Sequence, residues 1–183
     1  MANGRVAYQG APGAFSHAAC LTLRPWDEAV ACATFEDAIE AVRTGDCDCA
    51  LIPVENTLAG RIEPAATLVE QSGLRQVAEV WRPFRLALMA TPDATISSLR
   101  TAESHPVALK QCERYLVDLG IEPREVFDTA GAARDVAAAG DRTRAAVAPA
   151  AAAELYGLKI LRNDIQDSAD NRMRFVVLSG ESA

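Results

Sequence analysis

Short apolar runs alternate along the chain with longer stretches of helical periodicity. This alternation is typical of βαβ units, in which helices connect the strands of a sheet. The pattern predicts a mixed α/β fold, with strands at 6–9, 29–33, 50–54, 77–81, 85–90, 126–127, 145–148 and 174–178.

Two helices have recognisable starts. Thr34 and Asp37 form a capping-box pattern, and the helix that follows is expected to end near Gly45. Pro106 suits the first turn of another helix, expected to end near Gly120. The alanine-rich stretch 145–153 is interpreted as a buried strand that leads into a closely packed helix.

Small or polar residues mark four predicted junctions between a strand and a helix. The first turn of a helix leaves backbone N–H groups unpaired, and such groups attract anions at the carboxyl edge of a sheet. A single junction is more often an ordinary helix cap. Several that converge on one crevice could hold a small dicarboxylate. The junctions are 9–16, 53–57, 104–106 and 128–131.

The charge balance narrows the choice of partner. The 183 residues carry 18 Lys+Arg against 25 Asp+Glu, a formal charge of −7, and the basic residues are scattered. This balance argues against nucleic acid or an anionic membrane surface as the main partner. The chain is long enough, with half of its residues hydrophobic, to form one domain or two small lobes. No secretory signal or membrane-length apolar run is found, so we expect a cytoplasmic protein.

The cysteines are interpreted as reduced thiols that pack as small hydrophobic residues. Cys47 and Cys49 alone suggest a metal site, but the two histidines, His17 and His105, lack the spacing to complete it. We expect neither a metal nor a cofactor. The five cysteines are Cys20, Cys32, Cys47, Cys49 and Cys112.

Read together, the motifs resemble the prephenate dehydratase family in order and spacing, over nearly the whole chain. The matching stretches are 7–17, 52–61, 104–106 with 111–112, 128–133, and 165–167 leading to 171–175. The resemblance implies an α/β, two-lobed, periplasmic-binding-protein-like (type II) fold with the active site in the interlobe cleft. Residues 1–80 plus 164–183 would form lobe 1 and residues 81–163 an inserted lobe 2, together one catalytic domain.

The resemblance also implies which residues bind and orient the substrate. Arg174 matches the arginine of the family's Thr-Arg-Phe motif and could bind a substrate carboxylate, or else form an ion pair at the end of a strand. Glu55 could have a raised pKa, or be a carboxylate that orients Asn56 or Arg174. His105 and His17 are expected to be structural. The catalytic set is Glu55, Asn56, Ser104, Gln111 and Met173, and the substrate-binding set is Thr57, Thr129, Ala130, Arg174, Phe175 and Tyr8.

Met173 departs from the family, which has threonine at this position. In the dehydratase reaction, carbon dioxide and the ring hydroxyl both leave, and the family threonine is assigned to help the departing oxygen. A thioether cannot donate that hydrogen bond. Without it, decarboxylation could proceed with protonation on carbon, as in the non-aromatising prephenate decarboxylases of natural-product pathways.

Three functions therefore stay open. The sequence ends at Ala183 without the ACT domain that follows in most bacterial dehydratases, which favours non-aromatising decarboxylation unless the chain is truncated or naturally short. The alternative is a true dehydratase of phenylalanine biosynthesis, in which Thr129, Ser104 or a water supplies the proton. The third is a non-catalytic protein that binds a small anion. The substrate could be prephenate or arogenate, and a homodimer is expected.

Overall fold

The computed structural model describes residues 4–180 and contains two sheets. The chain divides into two compact units. The first contains the residues up to Ala11, Phe15–Phe84 and the residues from Asp170 onward, and the second contains Pro12–Ala14 and Arg85–Ala169. The predicted mixed α/β class is confirmed. The lobe boundaries predicted from the sequence, near residues 80 and 164, lie a few residues before these unit boundaries. The assignment of both lobes to one catalytic domain stays a prediction.

The strands and helices follow one another along the chain with short connections. In chain order they are β1 (Arg5–Gln9), α1 (Phe15–Leu23), β2 (Glu28–Cys32), α2 (Phe35–Arg43), β3 (Cys49–Asn56), β4 (Gly60–Arg61), α3 (Ala65–Gln71), β5 (Arg75–Pro83), β6 (Ala87–Ala90), a 3-10 turn (Ile96–Ser98), β7 (Thr101–Ser104), α4 (Pro106–Lys110), α5 (Glu113–Asp118), β8 (Glu122–Glu125), α6 (Thr129–Ala139), β9 (Arg144–Ala148), α7 (Ala150–Tyr156), β10 (Lys159–Arg162) and β11 (Arg172–Ser179).

The sheet of the first unit has the strand order β2-β1-β3-β11-β5, with β4 paired to β3. Strands β1, β2 and β3 are parallel, whereas β11 runs antiparallel to both of its neighbours. Alternate side chains project to opposite faces. One face packs against α1 through residues such as Val6 and Phe175, and we call it the α1 face. The other packs against α2 and α3 through Ile52 and Val176, and we call it the α2 face.

Helix α2 begins with the predicted capping box. The Thr34 side chain accepts a hydrogen bond from the Asp37 backbone N–H, and the Asp37 carboxylate accepts one from the Thr34 backbone N–H. These bonds satisfy donors that the first turn would otherwise leave unpaired. The helix ends at Arg43, near the predicted end.

The sheet of the second unit has the order β10-β6-β9-β7-β8. Its centre is the alanine-rich strand β9, whose last four residues are buried and lead into α7 as predicted. Small side chains let α6 and α7 pack closely on this strand. Arg144 on β9 donates two hydrogen bonds, of 2.7 and 2.9 Å, to the buried Glu103 carboxylate on β7. This bidentate pair fixes the two strands side by side.

Two sequence-based expectations are wrong in this unit. The helix that starts at Pro106 stops at Lys110, and α5 begins only at Glu113. The Gln111 carbonyl accepts a hydrogen bond of 2.7 Å from the Asp167 N–H, so its partner is a residue outside the helix. The predicted strand at 126–127 is also absent, because pairing with β7 ends at Glu125.

Within residues 4–180, no helix combines the length and apolar character needed to cross a membrane. The strand β10 lacked a sequence prediction. It pairs with β6 through a register that is irregular between Ile160 and Arg162. Its side chains are partly exposed, so the strand has only a short apolar pattern in the sequence.

Candidate active site

Asn56 is the last residue of β3 and is 3% exposed. Its Oδ1 accepts hydrogen bonds from the backbone N–H groups of Leu58 (3.0 Å) and Ala59 (2.9 Å), which closes the turn after the strand. Its Nδ2 has no partner among residues 4–180. An amide group whose oxygen is fixed and whose N–H donors are unpaired is suited to bind an oxygen atom of a ligand.

Met173 pairs with Asn56 across β3 and β11, and with Arg82 on β5. Directly paired residues of an antiparallel sheet share a face. The Met173 side chain is half-buried and packs against the α1 face, as does Phe15, which stacks on Phe84 with ring centroids 4.1 Å apart. A thioether therefore lies beside the Asn56 amide where the resemblance implies a threonine, with the half-buried Arg82 as its direct partner on β5.

Arg174 follows Met173 on β11 but lies on the α2 face. Its Nε donates to Glu55 Oε2 at 3.0 Å, its Nη2 lies 2.9 Å from the same oxygen, and its Nη1 donates to Glu79 Oε2 at 3.2 Å. The guanidinium also lies 5.9 Å from the centre of the Trp81 ring. The ion pair with Glu55 is present, and contact of Arg174 with a substrate carboxylate stays a prediction.

Thr57 connects the end of β3 to the start of β11. Its hydroxyl accepts a hydrogen bond of 2.9 Å from the Arg172 N–H and lies 3.3 Å from Asn171 Oδ1. The Thr57 N–H in turn donates to the Arg172 carbonyl at 2.9 Å. This reciprocal contact gives Thr57 a structural role. Its predicted role in substrate binding stays a prediction.

Tyr8 and Phe175 lie deeper in the first unit. Both are 1% exposed. Tyr8 pairs with Leu51, five residues before Asn56 on the same strand, which corresponds to about 16 Å along β3. The Tyr8 ring stacks on His17 at 5.3 Å, and burial lowers the pKa of the His17 imidazole. The structure thus places Tyr8 in the core and does not bring it beside Asn56.

Ser104 ends β7 in the second unit and is fully buried. Its hydroxyl donates a hydrogen bond of 2.6 Å to the Val147 carbonyl on β9. Because a hydroxyl has one proton, Ser104 in this conformation can only accept from a ligand. The next residue, His105, caps α4, and its Nδ1 accepts from the Val107 N–H at 3.2 Å. His105 has the structural role that the sequence suggests.

Gln111 and Thr129 lie at helix ends of the second unit. Gln111 is the half-buried C-cap of α4, where the break before α5 positions it. Thr129 is the first residue of α6, after the N-cap Asp128, whose Oδ1 accepts from the Gly131 N–H at 2.6 Å. The half-buried Thr129 hydroxyl has no partner among residues 4–180, whereas Ala130 is fully buried.

The described residues contain no group of three or more His, Cys, Asp or Glu that could hold a metal ion. The thiols are also poorly suited to bind metals. Burial raises the pKa of Cys20 and of Cys112 to about 12, and burial also raises the pKa of Cys32, Cys47 and Cys49. A metal-binding thiol must be deprotonated.

Sequence analysis did not identify Glu79 and Trp81, which surround the Arg174 guanidinium. The available signal was their spacing, since residues two apart on a predicted strand share a face. Nothing in the sequence places β5 next to β11, because that pairing joins distant segments. The Phe15–Phe84 stack was missed for the same reason.

A model of the family described as prephenate dehydratase matches residues 6–183 of the chain. Arogenate dehydratase 1 of Petunia hybrida is 48% identical over 179 residues, which cover 97% of this chain and 42% of that protein. A bifunctional N-acyl-homoserine lactone acylase/prephenate dehydratase of Komagataeibacter europaeus is 39% identical over 178 residues, 97% of this chain and 63% of that protein. The chain spans about half the length of the curated relatives it matches.

Solved structures show the same likeness. Prephenate dehydratase from Arthrobacter aurescens, solved in complex with L-Phe, is 27% identical with a TM-score of 0.89, covering 98% of this chain and 61% of that chain. Periplasmic-binding-protein-like proteins share the fold at lower identity. The predicted periplasmic-binding-protein-like fold class is confirmed.

Proposed function

Because the chain belongs to the prephenate dehydratase family, we propose that it is a lyase that removes carbon dioxide from prephenate without making the ring aromatic. The product would be a dihydro-hydroxyphenylpyruvate that keeps the ring hydroxyl. The observation that carries the proposal is the position of Met173, which pairs with Asn56 where the family has a hydroxyl.

Loss of carbon dioxide leaves an electron pair that the conjugated ring must accept. In dehydration, this pair expels the ring hydroxyl, which needs a hydrogen bond or a proton to leave as water. In the proposed reaction, the pair takes a proton from solvent on a ring carbon, and the carbon–oxygen bond stays intact. The Met173 thioether cannot donate a hydrogen bond to the hydroxyl, whereas loss of carbon dioxide requires no donor at that position.

The other predicted hydroxyls support the same choice. The Ser104 hydroxyl donates its proton to the Val147 carbonyl, and the Thr57 hydroxyl accepts a hydrogen bond from the Arg172 N–H at the start of β11. The Asn56 amide could bind a substrate oxygen and hold the ring for decarboxylation. Asn56 and Met173 would then act together on the α1 face of the first unit.

Dehydration is the second candidate, and it is favoured by the Thr129 hydroxyl, which has no partner in the part of the chain that the structure describes. Thr129 could then donate to the departing oxygen in place of the missing threonine. The activities for which the relatives are named, arogenate and prephenate dehydration, also support this alternative.

The test is to incubate the protein with prephenate at neutral pH and follow the products by ultraviolet absorbance and mass. Met173→Thr restores the hydroxyl, and Met173→Leu is the matched apolar control. We expect wild type and Met173→Leu to release carbon dioxide and keep the ring hydroxyl, and Met173→Thr to gain phenylpyruvate. Phenylpyruvate from wild type would instead favour dehydration.

Parallel incubation with arogenate distinguishes the two substrates, which differ by an amine in place of a keto group. If neither prephenate nor arogenate is consumed but one of them binds, the result favours a non-catalytic protein that binds a small anion. The homodimer, the location in the cytoplasm and the absence of a cofactor remain predictions.

A further inference from the structure

Strand β3 contains a bulge just before Asn56. Arg174 pairs with Glu55, but the next residue, Phe175, pairs with Pro53, so Val54 is an extra residue on β3. A bulge changes the direction of the residues that follow it, and a shift of one residue moves each side chain to the opposite face. The position of Asn56 opposite Met173 therefore depends on this bulge.

After the bulge, β3 pairs with β11 through Glu55 and Asn56, and the Thr57 N–H then donates to the Arg172 carbonyl at 2.9 Å. The pair of Glu55 with Arg174 is reinforced by side chains, because Arg174 Nε donates to Glu55 Oε2 and Arg174 Nη2 lies 2.9 Å from the same oxygen. The same guanidinium is held from the other side by Glu79 on β5, at 3.2 Å. The ion pairs thus connect three neighbouring strands at the level of the bulge.

We propose that Glu79 is a positioning residue for Asn56, which acts through Arg174 and Glu55 without touching the substrate. The inference rests on the proposed function in one respect, that Asn56 contacts the substrate. By fixing the Arg174 guanidinium, Glu79 keeps Glu55 paired with β11. That pairing keeps the Asn56 amide on the α1 face beside Met173.

The substitution Glu79→Gln tests this, and the chain offers a matched control. Glu28 on β2 forms an ion pair with Arg5, its direct partner on β1, with 3.3 Å between Arg5 Nε and Glu28 Oε2. Glu28→Gln therefore removes a carboxylate from an arginine of the same sheet, at the level of the first residues of β3 and away from Asn56. Glu79 is 50% exposed and Glu28 is 61% exposed, so neither change should unfold the protein. We expect Glu79→Gln to lower kcat about fivefold and Glu28→Gln to leave kcat unchanged.

A double-mutant cycle separates positioning from a general electrostatic or structural effect. If Glu79 acts through Asn56, Glu79→Gln causes no further loss in an Asn56→Ala background. An equal further loss in that background would overturn the proposal. Glu79→Asp, which keeps the charge, should recover part of the activity.

Amide hydrogen exchange gives a readout that does not require turnover. The N–H groups of Leu58 and Ala59 donate to Asn56 Oδ1, so they report on the position of Asn56. We expect faster exchange at both N–H groups in Glu79→Gln, but not in Glu28→Gln. If wild type consumes no prephenate, the proposed function fails while this measurement still tests the coupling. Unchanged exchange in Glu79→Gln would refute it.

Discussion

Met173 and Arg174 are adjacent in sequence, but their side chains lie on opposite faces of the sheet in the first unit. Met173 shares its face with Asn56, whereas Arg174 shares its face with Glu55 and Glu79. The two residues of one motif therefore have separate surroundings. Met173 lies beside the Asn56 amide, whereas Arg174 lies between two carboxylates. A substitution at either position should produce a different kind of defect.

Asn56→Asp separates the two functions of this side chain. Aspartate keeps an oxygen that can accept from Leu58 and Ala59, but it loses the amide N–H donors. We expect turnover of prephenate to fall roughly 10²- to 10³-fold, with only a small change in Tm. Asn56→Ala should lose comparable activity and also Tm, because the turn loses its acceptor. Normal turnover by Asn56→Asp would contradict a role for the amide in binding substrate.

Thr129→Val decides whether the unpaired hydroxyl replaces the missing threonine. In a non-aromatising decarboxylase, this change should leave the ratio of products unaltered, because the ring hydroxyl stays on the substrate. If wild type forms phenylpyruvate, Thr129→Val should reduce it roughly 10²-fold or more. Thr129→Ser, which keeps the hydroxyl, is the control, and product masses provide the measurement.

Ser104→Ala should affect stability in a predictable way. The change removes the hydrogen bond to the Val147 carbonyl inside the sheet of the second unit. We expect the free energy of unfolding in urea to fall by about 1 kcal/mol. The exposed Ser97→Ala serves as the control, with a change within about 0.5 kcal/mol. A loss of turnover far beyond the loss of folded protein would show that Ser104 also contacts the substrate.

The buried thiols predict a loss of stability at high pH. Burial raises the pKa of the Cys20 and Cys112 thiols from an ordinary value of 9.0 to about 12, so both stay protonated in the folded protein at moderately alkaline pH. Below about pH 9 they are protonated in both states and add no pH dependence. Above it, the unfolded chain releases protons that the folded chain retains, so the free energy of unfolding should decrease as pH rises from about 9 to 12.

Urea denaturation at several pH values tests this, with Cys20→Ala combined with Cys112→Ala as the comparison. The double variant should be less stable at pH 7 but lose less stability above pH 9. An identical slope for both proteins would contradict the assignment. Thiol reagents at pH 8 should modify Cys20 and Cys112 only after unfolding.

Local signals in the sequence were sufficient for much of the fold. The capping box at Thr34 depends on residues three apart, and the structure confirms it. The apolar runs around Ala7, Ile52 and Val176 predicted strands, and these strands have an apolar signal because the sheet is buried on both faces. The break between α4 and α5 could not be predicted, since it depends on a bond from Asp167, which is far along the chain.

The site was less accessible to sequence reasoning. Its residue types came from the family motifs, but the face on which each lies depends on the extra residue Val54 in β3. A bulge has no reliable sequence signal in an apolar strand. The grouping of Arg174 with Glu79 depends on the partner that β11 finds, which is a property of the whole sheet.

Strand β11 lies between β3 and β5 although it is the last strand within residues 4–180. During synthesis on a ribosome, β5 emerges long before β11, the one strand with which it pairs in the described part of the chain. The whole segment Arg85–Ala169 must follow before β11 appears. Until then, the nascent first unit has an open edge at β3, and Asn56 has no Met173 beside it. The first unit can therefore complete its sheet and pair Asn56 with Met173 only after the second unit has been made.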